Sequence, residues 1–403
     1  MRGIAAATAL VGGLGLAGGL GGCLKRVDVI ECPGTHALCP LSQPVCLPEP
    51  YYCGDADMQQ ALSVCSGQPQ LTLCSTDAIP SGVCYPDQCI TCTADYGTCP
   101  VSGWQQMTQS VGKDPQAVWI TSATDAFVAE GKATIAHYDG LSWTDTTFPG
   151  STPTKLWRSP NGTLFVLDND GSDNVEVYSG GSWRQPIMTK LSFVSGLWGT
   201  SSNEILVGGT GYVLSFDLSG NSTDMHAPDM GAEYSVVWAS DDVIIAAGVA
   251  LLWQSVSGVW SDVGSSLKLS LGSLYGLAGW IAVGGSSSND IFAVATASNG
   301  NTIAVHYDGS SWTALTVPSD ATMGAVNLLG VTSVGPANAI VVGNLAANSS
   351  AGVILQCNAQ TCNPVYQPSV ALSAVSAVAS PIDVMALGKA VDGTTLVFRT
   401  TSM

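Results

Sequence analysis

Four histidines, thirteen cysteines and one acidic turn are the side chains of this 403-residue sequence whose types and spacing could do chemistry. His137 and His306 each open the same short passage, His-Tyr-Asp-Gly-x-Ser-Trp. A histidine that recurs with a repeat unit is a strand residue more often than a catalyst. Asp168-Asn169-Asp170-Gly171-Ser172-Asp173 has the oxygen-rich composition of a calcium loop, with Asp168, Asp170 and Asp173 as candidate ligands for Ca2+. The run lacks the bidentate Glu of an EF-hand, and Asn, Asp and Gly between two strands also make an ordinary turn. No Gly-x-Ser-x-Gly, metal-type His pair or phosphate loop occurs, so no catalytic or metal-binding residue is assigned. Carboxylates are plentiful enough for an Asp/Glu pair to meet on one face, which is the route open to an enzyme.

The cysteines divide into three sets. Cys23 stands alone behind an apolar run from Ile4 to Gly22. Ten more crowd into residues 32–99, and Cys357 and Cys362 form a separate pair. With Cys23 set aside, twelve remain, enough for six disulfides in an oxidising compartment. Residues 32–99 show no sustained apolar period and many prolines, so crosslinks rather than a core must hold that module. The spacing of Cys84, Cys89, Cys92 and Cys99 would suit zinc, and that of Cys89 and Cys92 a redox pair, but thiols that follow an export signal tend to oxidise, which favours disulfides.

A hydrophobic strand, a polar turn and Ser-Trp recur through the remaining three hundred residues, at 137–143, 177–183 and 306–312. Landmarks at Val118-Trp119, Leu156-Trp157, Leu197-Trp198, Val237-Trp238, Val283-Gly284, Val331-Thr332 and Ala377-Val378 precede seven apolar runs, at a mean step of about 43 residues. That is the length of a four-stranded propeller blade, and a blade cannot bury its own faces alone. Residues five apart recur as Tyr138/Trp143, Tyr178/Trp183, Phe216/Asn221, Ser255/Trp260, Tyr307/Trp312 and Cys357/Cys362. A disulfide at the last pair requires its Cα atoms to face each other, about 5.5–6 Å apart, across a four-residue turn. The aromatic pairs should then face each other likewise. The seventh unit ends at Thr400 without its Ser-Trp, whereas Ser102-Gly103-Trp104 precedes the first. The strand near 103–108 is expected to complete the last blade and close the ring.

The expected fold is all-β, a seven-bladed β-propeller over 100–403 preceded by a small disulfide-rich module over 32–99. Composition supports it: 46% of residues are hydrophobic and only 10% charged, with abundant turn formers. A net charge of −18 repels a phosphate backbone and excludes nucleic acid as a partner.

Arg2, the apolar run and Leu20-Gly21-Gly22-Cys23 resemble the bacterial lipoprotein signal. The resemblance implies removal of 1–22, lipidation of Cys23, and an anchor and linker over 23–31. Leu24 in place of Asp then implies the outer membrane, with a position on the cell surface. The units Ser287-Ser288-Asn289-Asp290-Ile291-Phe292-Ala293-Val294 and 306–312 resemble propeller-repeat lipoproteins of environmental Gram-negative bacteria of myxobacterial type. The repeats differ from WD40 and kelch spacing. They also differ from the sialidase Asp box, which separates Asp from Gly and needs three arginines around a substrate carboxylate. The expected function is a lipid-anchored, non-catalytic module binding an unknown protein or glycan. The alternative is an exported polysaccharide hydrolase or lyase using a propeller cleft.

Overall fold

The computed structural model describes residues 103–401 apart from 110, 170–173, 190–192, 202–203, 229–230, 273–277, 298–301 and 319–324, and five short strands within 1–102. Cys23, Asp170 and Asp173 lie outside the described residues, as do the side chains of the ten cysteines in 32–99. The chain divides into two compact units, Met1–Val101 and Ser102–Met403. In the first, His36–Cys39 pairs with Val45–Pro48, and Leu73–Cys74, Gly82–Cys84 and Cys89–Ile90 form a three-stranded sheet.

The second unit is a seven-bladed β-propeller. Blade 1 consists of Pro115–Ser122, Asp125–Glu130, Thr134–Tyr138 and Trp143–Thr147, paired antiparallel in sequence order. Blades 2 to 6 repeat this over 153–183, 194–224, 236–262, 278–314 and 326–366, and blade 7 begins at 371. The first strands lie side by side around the axis, that of blade 7 next to that of blade 1.

Each second strand is sandwiched between neighbouring blades and is therefore apolar on both faces. Leu164, Phe165, Val166 and Leu167 of blade 2 are all buried, as are Ala126 to Ala129 of blade 1. Each such Val, Leu, Ile or Phe contributes about 1.5–3 kcal/mol. The clusters straddle blade boundaries: Trp157 and Phe165 of blade 2 pack with Val207 and Phe216 of blade 3. Two glycines make room for rings from the preceding blade. A Cβ at Gly199 would lie 2.2 Å from the Trp157 ring, and one at Gly285 2.7 Å from that of Trp238.

The outer hairpins owe their shape to one side chain. Asp139 Oδ1 accepts the amides of Leu141 and Ser142, at 2.8 Å each. Asp308 repeats this with Ser310 and Ser311, and Asn358 with Gln360 and Thr361. Hydrogen bonds from the Ser310 hydroxyl and these amides hold the Asp308 carboxyl down to about 2. Its contribution to the turn is accordingly lost only as pH falls through that value. Tyr138 faces Trp143, Tyr178 faces Trp183, Ser255 faces Trp260 and Tyr307 faces Trp312. Blade 3 departs from the expected spacing: Phe216 faces Ser222 rather than Asn221. Its turn holds one more residue, with the Asp217 amide donating to Asn221 O and the Asp217 carboxylate taking the Ser219 and Asn221 amides.

Cys357 and Cys362 face each other and form a disulfide, with Cα atoms 3.9 Å apart. The separation is shorter than the sequence expectation because the Cys362 amide donates to Thr316 O instead of across the hairpin. Cross-strand pairs that do not exchange hydrogen bonds approach more closely.

Blade 7 comprises Ala371–Ala379, Ile382–Lys389 and Thr394–Thr400, and its outer strand comes from the other end of the unit. Gln105–Gln106 pairs with Phe398 and Arg399, and Val111–Lys113 continues the edge opposite Thr394 and Thr395. Helix α1, Val263–Leu271, follows blade 4 and has no counterpart in the sequence reading. The Asp262 carboxylate caps it by accepting the Ser265 amide, and Val263 and Leu267 turn into the core between blades 4 and 5.

Candidate functional site

The repeated acids and histidines meet at the turn between the first and second strands. In blade 1, His137 Nε2 lies 2.9 Å from Asp125 Oδ1, the Thr121 hydroxyl donates to Asp125 Oδ2 at 2.8 Å, and Arg158 of blade 2 pairs with the same carboxylate. Blade 5 repeats the arrangement with His306 2.7 Å from Asp290 Oδ1 and the Ser286 hydroxyl on Oδ2. The Ala337 amide of blade 6 also donates to Asp290. In blade 3, Glu204 takes the hydroxyls of Thr200 and Ser215. In blade 7, Arg399 takes the histidine's place and bonds Asp383 through Nε and a terminal nitrogen, at 2.9 and 2.5 Å.

These are fastening points. His137 and His306 each lie against a phenylalanine of the neighbouring strand, Phe127 or Phe292, with ring centroids 4.4 Å apart. Burial pushes the His137 imidazole below its ordinary value, with the Asp139 charge opposing. A His–Asp pair of this kind could in principle act as a general base. Here the carboxylate and ring together join three strands, and in blades 1 and 5 the next blade as well.

Asp168 is buried and bonds back to the connection between blades 1 and 2, accepting the amides of Ser151 and Thr152. Both carboxylate oxygens take part, so Asp168 ties this turn to the preceding connection.

Glu130 differs from these acids. Burial pushes its carboxyl up to about 7, the Asp145 charge adds to the rise, and the Lys113 amide and Thr395 hydroxyl oppose it. The folded protein thus keeps a proton that the unfolded chain releases near 4.5. Stability falls as pH rises between these two values and is insensitive to Glu130 on either side. Glu130→Gln should stabilise the protein by up to about 3 kcal/mol at pH 8 and leave it unchanged at pH 4. Unfolding midpoints at the two pH values check this.

One cavity lies on the axis. It has a volume of about 280 Å³ and is lined by the first strands of all seven blades. Its walls carry the Trp119 and Trp198 indoles, edge to face at 5.4 Å, with hydroxyls from several blades. No carboxylate lines it, and Lys155 is the one cation among its lining residues. Two clefts of about 480 and 470 Å³ lie at the rim, one beside the closing strand at Arg399 and one between α1 and Trp312. Lys155 was not singled out in the sequence, where Thr154-Lys155-Leu156-Trp157 reads as a strand that opens on two polar residues.

No protein-family model matches the chain, and no curated relative does. Solved structures do. The WD40 repeats of RRP9 superpose with a TM-score of 0.57 at 12% identity, covering 75% of this chain and 99% of that one. The WD40 β-propeller domain of Doa1 gives 0.53 at 11%, covering 74% and 97%. A catalytically inactive virginiamycin B lyase from Staphylococcus aureus, with quinupristin, gives 0.55 at 11%, covering 74% and 99%. The chain shares their propeller fold. At these identities the likeness carries nothing about activity.

Proposed function

We propose that the chain is a lipid-anchored module at the bacterial cell surface that binds protein or glycan and performs no chemistry. One observation carries the binding reading: the histidines and acids that recur in the blades are tied into strand-joining nodes. Asp290, for example, holds His306, Ser286 and the Ala337 amide at once. The loops around the ring remain as the surface for partners, the common use of a rigid scaffold with variable connections. Leu20-Gly21-Gly22-Cys23 supports the anchor, with two or more acyl chains giving stable attachment.

The test separates binding from turnover. The full chain is mixed with purified envelope polysaccharides and surface proteins, and both association and polymer length are followed. Saturable binding with unchanged polymer length is expected. Depolymerisation would establish the enzyme instead.

A further inference from the structure

Lys155 follows a β-bulge in the first strand of blade 2, where Pro153 and Lys155 pair with Asp168 and Leu167 and Thr154 is left over. The same irregularity occurs in five other blades. The residues that resume pairing there are Ala117, Gly196, Ala282, Gly330 and Ala374. Five of six equivalent positions thus carry Gly or Ala, and the sixth carries a lysine. Lys155 is among the residues that line the axial chamber.

Nothing among the described residues neutralises this ammonium. Its side chain is accessible from the cavity but so enclosed by protein that desolvation lowers its pKa. No acid lines the chamber, in a chain whose acids outnumber its Lys and Arg by eighteen. An ammonium with no counter-charge in its cavity favours an anion small enough to enter.

We propose that the axial cavity binds a small organic monocarboxylate, no larger than a single sugar acid, with Lys155 as its counter-charge. One ammonium balances one carboxylate, and the hydroxyls of Thr154 and Ser235 offer partners to an alcohol-bearing ligand. The Trp119 and Trp198 indoles supply an apolar wall for a sugar ring. The cavity's volume of about 280 Å³ sets the upper size. The proposal deepens the glycan-binding reading by naming the chemistry that one site would recognise.

The test is calorimetric titration of the full chain at pH 7 with glucuronate, and with glucose and inorganic phosphate as comparisons. Glucuronate should bind at one site, and glucose at least tenfold more weakly. Lys155→Met should weaken glucuronate at least tenfold while retaining a cooperative unfolding transition. Absence of glucuronate binding, unchanged affinity in a folded Lys155→Met, or tighter binding of phosphate than of glucuronate would overturn the proposal. Protein or polysaccharide binding at the loops would survive all three outcomes, so the two readings fail separately.

Discussion

Arg399→Ala should lower the stability of the propeller by about 3–5 kcal/mol, the cost of leaving a buried carboxylate without its partner. Asp383 is 1% exposed and receives two bonds from the guanidinium. The same guanidinium donates to Ala123 O in blade 1 at 2.7 Å and lies 5.7 Å from the Tyr138 ring centroid. Arg399 therefore fastens blade 7 to blade 1, where the beginning and end of the ring meet. Lysine should not replace it, because a point charge cannot make the paired bonds to Asp383 and also reach Ala123. Removing the carboxylate as well, in Arg399→Met with Asp383→Asn, should recover at least half of the loss. Denaturant unfolding followed by tryptophan fluorescence, with disulfides intact, measures all three variants. A loss below about 1 kcal/mol for Arg399→Ala would show that the seam does not depend on this pair.

Trp104→Ala should cost a similar amount, about 3–5 kcal/mol, for a different reason. Gln105 and Gln106 of the closing segment pair with Phe398 and Arg399, and the Met107 amide donates to Val397 O before the irregular stretch that leads to Val111–Lys113, too short a ladder to hold itself. Trp104, 3% exposed, supplies the anchor: its ring stacks on Tyr366 of blade 6 with centroids 6.5 Å apart, in a cluster that includes Phe398 of blade 7. Losing the indole should release the segment and expose the edge Thr394–Thr400, a template for association with other chains. Faster hydrogen exchange at Val397 and Arg399, whose amides face the closing segment, and a rise in aggregation are the expected signs. Trp104→Phe should retain most of the stability. Unchanged exchange at those amides in Trp104→Ala would mean that the backbone pairing holds alone.

The blade count and closure were legible in the sequence because they rest on local chemistry. A turn shaped by Asp139 or Asp308 sets the distance from Tyr to Trp whatever lies around it. The same logic misplaced Asn221, since an extra residue in that turn preserves its Asp-capped form and shifts the facing pair by one. Helix α1 was missed because Val263-Gly264-Ser265-Ser266 reads as a linker until Asp262 caps it and Leu267 finds the core. The role of Asp168 was not legible locally, because its partners Ser151 and Thr152 lie on the preceding connection. Lys155 had no signal at all. It becomes distinctive only when seven first strands converge and the equivalent positions prove small, which no window along the chain can reveal.

The central claim is an exported, lipid-anchored and disulfide-held surface protein, and the intact mass of the mature chain tests it most directly. The protein is purified from membranes without reductant and weighed. The account predicts a chain that begins at Cys23, heavier by its acyl groups and lighter by twelve hydrogens for six disulfides among the remaining twelve cysteines. A chain that still begins at Met1 and carries free thiols would contradict both the anchor and the oxidised compartment, and the surface-binding role would fall with them.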